Sequence, residues 1–149
     1  MYNTKHLLIF VGLLFSLTAV SCGPSLVIQN VDYSHPLESV LVPDQDNMVH
    51  DQRYAVKFSI DPILSEEGID SVDQIRLIRN TPGFYFVTAG GFESVYVFEP
   101  GEGELKLDSV ISFPDGALQN PAFNQRDTYI EVVDLSNGRT YNIDENGVQ

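Results

Sequence analysis

The sequence predicts an all-β fold: an antiparallel β-sandwich of about seven to eight strands after an N-terminal leader. Three observations carry that expectation. Apolar and polar residues alternate with a period of two through most of the chain after residue 25. Glycine, proline and asparagine break the alternation at short intervals, as turns between strands do. The spacing of three and four that a helix would bury is nearly absent. A small closed β-barrel is the alternative architecture for the same pattern. With 149 residues, 43% hydrophobic and 19% charged, the chain suits one domain with a real core.

The leader comes first. Lys5 precedes an apolar run over residues 7–20 that ends in small side chains. That run falls short of the roughly 20 apolar residues a spanning helix needs, and its layout is that of a secretory signal. The sole cysteine follows at once, in Leu17-Thr18-Ala19-Val20-Ser21-Cys22-Gly23. One thiol excludes an internal disulfide and a zinc site built from several cysteines. The segment resembles the lipobox of bacterial lipoproteins. Ser21 stands at the small position before the cysteine, Val20 is compatible, and Ala19 replaces the usual leucine. The resemblance covers residues 1–22. It implies a signal peptide over residues 1–21, lipidation of Cys22, and a single mature domain over residues 22–149. A thiol is a nucleophile able to accept a diacylglyceryl group. Each buried CH₂ adds about 0.8 kcal/mol, and more than one chain makes anchoring stable. Gly23-Pro24-Ser25 holds no aspartate and no acidic or lysine-rich cluster. By the same resemblance the expected location is the cell envelope, at the outer membrane on its periplasmic side.

The strands follow in order. Leu26, Ile28 and Asn30 share one face, and Val27, Gln29 and Val31 the other. Residues 36–53 have little period and are expected as a long loop, either a crossing connection or a mobile flap. Val56, Phe58 and Ile60 point inward until Asp61-Pro62 stops the strand. Ser65-Glu66-Glu67 can open one short helical turn, which Gly68 ends. Ile75 and Leu77 face inward before the turn Thr81-Pro82-Gly83. Phe84-Tyr85-Phe86-Val87 is apolar on both faces, as in a strand covered from both sides. Ala89-Gly90-Gly91 reads as a hairpin connection, residues 92–98 alternate again, and Pro100-Gly101-Glu102-Gly103 turns. Leu105, Leu107, Ile111 and Phe113 are expected on one face. Ile130 and Val132 mark a strand over residues 128–134; Asn137-Gly138 is the strongest turn signal, and residues 139–143 return as its partner. Residues 127–138 resemble the F–G hairpin of immunoglobulin-like and fibronectin-like domains. That resemblance implies an immunoglobulin-like sandwich with Tyr129 as its corner tyrosine. The cysteine pair and tryptophan of antibody domains are absent.

Charge and motifs bound the function. Eight Lys+Arg stand against 21 Asp+Glu, a formal charge of −13. Cleavage before Cys22 removes Lys5 and no acid, which takes the charge to −14. Such a surface repels phosphate backbones, so no nucleic-acid partner is expected. No G-x-S-x-G elbow occurs, and beyond the leader only His35 and His50 remain, so an enzyme is not expected. Gly90-Gly91 and Gly101-Glu102-Gly103 lack the lysine of a phosphate loop. No cofactor is implied. Calcium candidates are Asp44 and Asp46, with Asp51 able to join, although Met48 and Val49 occupy places where a calcium loop wants oxygen and glycine. Asp144-Glu145-Asn146-Gly147 is a second acidic turn. Tyr85, Tyr96 and Tyr141 are candidate sugar platforms in a chain without tryptophan. Asp70-Ser71-Val72 and Asp108-Ser109-Val110 resemble short bacterial O-glycosylation signals. The expectation is a lipid-anchored envelope protein serving as a non-enzymatic binding or structural module, with a membrane attachment and an envelope protein partner. The alternative is a sugar- or calcium-binding module of an envelope complex.

Overall fold

The computed structural model describes residues 38–149. The leader, Cys22, the strand expected over residues 25–31 and His35 lie outside the described residues. Within them the chain forms β1 (Ser39–Leu41), β2 (Met48–Asp51), β3 (Val56–Ser59), α1 (Asp61–Glu67), β4 (Ile75–Arg79), β5 (Tyr85–Ala89), β6 (Ser94–Pro100), β7 (Leu105–Ser112), β8 (Pro121–Gln125), β9 (Ile130–Asp134), β10 (Arg139–Asp144) and β11 (Gly147–Val148). Every strand pairing is antiparallel. Five strands make one sheet in the order β1-β4-β5-β6-β7, four make a second in the order β11-β10-β9-β8, and β2-β3 is a separate ribbon. No sheet closes on itself, so the barrel alternative is not realised. Its physical reason is the covering of the five-stranded sheet: two different layers bury its two faces, leaving no lumen to wrap around.

Alternation along β4, β5 and β6 builds two cores at once. Ile75, Leu77, Tyr85, Val87, Ala89 and Tyr96 face a first core completed by Val49 of the ribbon and by Ile63 and Leu64 of α1. Ile78, Phe86, Val95 and Val97 face a second core completed by Phe123, Ile130, Val132 and Ile143 of the four-stranded sheet. Every residue of β5 is buried, which matches the two-faced apolar run in the sequence. Each fully buried large apolar side chain contributes about 1.5–3 kcal/mol before entropy is counted.

Six elements differ from the sequence expectation. The connection over residues 36–53 contains β1 and β2. In β2 the second inward position is Asp51, buried like Val49, so an apolar alternation never appears. α1 begins at Asp61 rather than at Ser65, with Pro62 in its first turn, where a missing N–H costs nothing. Gly68 ends it as expected, in the left-handed conformation at φ 69°. β8 starts on Pro121 and β11 has two residues, both too weakly patterned to read. In β7 the expected single apolar face is split. Val97 pairs with Ser109 and Phe98 with Leu107, so Asp108 is an extra residue that forms a bulge. Leu105 therefore packs on the first core and Ile111 on the second.

The Asn-Gly turn joins β9 and β10 as expected, through the loop of residues 135–138. Only Gly138 takes positive φ, at 76°, and its N–H donates to the Asp134 carbonyl at 2.8 Å.

Candidate binding groove

A groove of about 620 Å³ opens among the described residues. One wall is β3 with its preceding turn, Ala55 through Ser59, continued by Pro62 and Ile63 of α1. The opposite wall is the β6–β7 hairpin, from Phe98 through Leu105. Tyr85 lies at the floor. Hydrophobic and aromatic side chains dominate this lining, with Lys57, Ser59 and Glu104 as its polar groups. That is the usual composition and size of a ligand site. Gly101 and Gly103 place no side chain over the opening, and the Gly101 N–H donates to the Glu104 carbonyl at 2.8 Å to close the turn.

Each wall is held from behind. Ser59 Oγ donates to Asp61 Oδ2 at 3.0 Å, and Asn47 Nδ2 donates to Asp61 Oδ1 at 2.7 Å, joining β3, the β1–β2 loop and the start of α1. At the other end of α1, Glu67 accepts the Tyr96 hydroxyl at 2.9 Å and the Glu93 N–H at 2.7 Å. Burial first, then the hydrogen bond to Glu67 and the charges of Glu67 and Glu66, push the Tyr96 phenol far above the tyrosine range. It stays a neutral donor. Tyr85 is fixed by an edge-on contact with Tyr54 at 5.7 Å and by the Arg79 guanidinium 5.6 Å from its ring centroid.

The ribbon gives the groove a second property. β3 has a hydrogen-bonded neighbour on one side only among the described residues, β2. The Ile60 N–H donates to the Asn47 carbonyl at 2.9 Å, and the register pairs Val49 with Phe58 and His50 with Lys57. Bonded and non-bonded pairs alternate in an antiparallel ladder. The backbone groups of Lys57 and Ser59 therefore point away from β2, and both residues line the groove.

The residues singled out in the sequence do not assemble into one site. Asp44 and Asp46 are exposed in the β1–β2 loop, and Asp44 Oδ1 accepts the N–H groups of Asp46 and Met48, both at 2.9 Å. Asp51 is buried at the end of β2, where Oδ1 accepts from the Arg53 and Tyr54 N–H groups. Among the described residues no group of three or more His, Cys, Asp or Glu side chains is placed to hold a metal ion. Tyr85 and Tyr96 are both buried in the first core, Tyr85 alone of the two also lining the groove, whereas Tyr141 stacks on Phe113 at 4.3 Å and donates to Asp115 at 2.8 Å. They form no shared exposed platform, since Tyr85 and Tyr96 are buried. Tyr129 immediately precedes β9, and its carbonyl accepts the Arg126 N–H at 2.8 Å. Ser71 lies exposed between α1 and β4, and Ser109 lies in β7 against the Glu145 carbonyl.

Two carboxylates that sequence reasoning passed over tie elements of the fold together. Asp134 has no exposed side-chain surface and pairs with Arg139 at 3.2 Å. Glu38 accepts the Phe123 N–H at 2.9 Å and pairs with Arg76 at 3.2 Å, linking β8 to β4. Among 21 acids nothing in the sequence sets these two apart. Among the described residues no helix is long and apolar enough to cross a membrane. No protein-family model, no curated protein and no solved structure matches this chain.

Proposed function

We propose that this chain is a lipid-anchored, non-enzymatic binding module of a bacterial cell envelope. In this reading the leader is removed and Cys22 carries the lipid. The domain then stands at the outer membrane on the periplasmic side and presents its groove to an envelope protein. One observation carries the binding role: a roomy, mainly apolar groove with an aromatic floor, bounded on one side by a strand edge with no described neighbour. The position of the only cysteine, directly after a charged and apolar leader, supports the anchor. We read the four-stranded sheet and the five-stranded sheet that share the second core as the two halves of an immunoglobulin-like sandwich. In that reading the ribbon and α1 are additions on the outer face.

Mass spectrometry of the protein extracted from membranes tests the anchor. The expected species begins at Cys22 and carries a diacylglyceryl group, and Cys22→Ala moves the protein from the membrane fraction to the soluble one. An unmodified thiol, or a retained leader on a cytosolic protein, overturns the proposal.

A further inference from the structure

The edge of β3 and the charge around the groove together define what the groove fits. We propose that the groove receives an extended polypeptide segment, basic and apolar in alternation, which adds as a strand along the edge of β3 that has no neighbour among the described residues. This rests on the binding role proposed above and names the class of partner.

Three observations support strand addition. The backbone groups of Lys57 and Ser59 face away from β2, so an incoming strand finds donors and acceptors already spaced for a ladder. β3 is four residues, about 13 Å of extended chain. Tyr85, Phe98 and Leu105 line the same groove and offer apolar surface to alternate side chains of an added strand. Charge selects the rest of the partner. Lys57 and Glu104 line the groove; the β6–β7 hairpin that contributes to it also carries exposed Glu99 and Glu102 against Lys106, which is already paired with Glu104 at 3.9 Å. The chain as a whole carries −13. Lysine or arginine at the outward positions of the added strand meets this field, and glutamate is repelled by it.

Full-length protein in detergent micelles is titrated with three fluorescent synthetic peptides. One is a seven-residue alternation of lysine with valine, one is its glutamate twin, and one is the lysine peptide N-methylated at alternate amides. The lysine peptide is expected to bind at least tenfold more tightly than either of the others, and more weakly as salt rises. On saturation, the Lys57 and Ser59 amides should slow in hydrogen exchange. Lys57→Pro removes an edge donor without removing a β2 bond, so it should abolish binding with the unfolding transition retained. The double variant Glu102→Gln/Glu104→Gln leaves both walls in place and should erase the preference for lysine over glutamate. Equal binding of the three peptides, no binding at millimolar concentration, or amides already slow before peptide is added each overturn the inference. The anchoring proposal fails on the mass of Cys22 instead, so the two failures are distinguishable.

Discussion

At the scale of single residues, Asp134 is the most heavily engaged side chain. Oδ1 accepts from the Asn120 N–H, the Ser136 N–H and the Ser136 hydroxyl, the last at 2.7 Å. Oδ2 accepts from the Gln119 N–H, Asn137 Nδ2 and Arg139 Nη2. Burial alone would raise its pKa, but the bonds from Ser136, Gln119 and Asn120 outweigh it and hold the carboxyl far below the usual aspartate value of 3.8. A depressed folded pKa contributes stability that is complete above 3.8 and is lost as pH falls through the folded value. Asp134→Ala should therefore cost about 3 kcal/mol in urea unfolding near neutral pH, since it orphans Arg139 and several buried donors. The same variant should lose less further stability than the parent below about pH 4. Glu38 works in the opposite sense. Burial leads and raises its pKa above 4.5 despite the Phe123 N–H and Arg76, so its ionisation on raising the pH opposes folding. Glu38→Gln keeps an acceptor for Phe123 and should be near neutral at pH 7, within about 1 kcal/mol. Glu38→Ala leaves that buried N–H unpaired and should cost about 1–3 kcal/mol.

At the scale of elements, the hairpins are where sequence and structure agree best. The β5–β6 turn combines two demands in Gly90-Gly91. Gly91 sits at φ 94° and its N–H donates to the Leu118 carbonyl at 2.7 Å. A Cβ on Gly90 would lie 2.8 Å from the Gln119 carbonyl oxygen. Because that oxygen belongs to backbone, Gly90→Ala should lower stability by about 1–3 kcal/mol, read as a drop in thermal midpoint. Turn chemistry is local, so it was legible: glycine, proline and asparagine marked the β4–β5, β5–β6, β6–β7 and β9–β10 turns. Long alternating runs were legible for the same reason. What escaped were elements set by distant neighbours. β1 has three residues and exists as a partner of β4; β8 exists as a partner of β9. The bulge at Asp108 leaves no trace in a one-dimensional pattern, since inserting one residue merely exchanges the two faces. The groove was illegible too. Its walls come from residues 55–63 and 98–105, which only pairing and packing bring together.

At the scale of the whole molecule, the five-stranded sheet is the structural centre. The ribbon and α1 cover one of its faces and the four-stranded sheet covers the other, so β5 is sealed from both directions. Its opening requires disruption of both cores. Amide hydrogen exchange should therefore be slowest along β5 and β6 and approach the global unfolding rate there, with β2 and β3 among the faster strands. Fast exchange along β5 would mean that the two cores open independently of that strand. The edges of the molecule are treated unequally. β7 is long and carries the exposed Leu107 and Val110, a pattern that invites copies to zip together. Asp108 interrupts it with an unpaired charged residue at its middle, so a second chain laid along β7 loses register after its first few contacts. Four-residue β3 has no such interruption. The fold thus guards the border that would polymerise, while among the described residues short β3 keeps a side on which a single guest can settle.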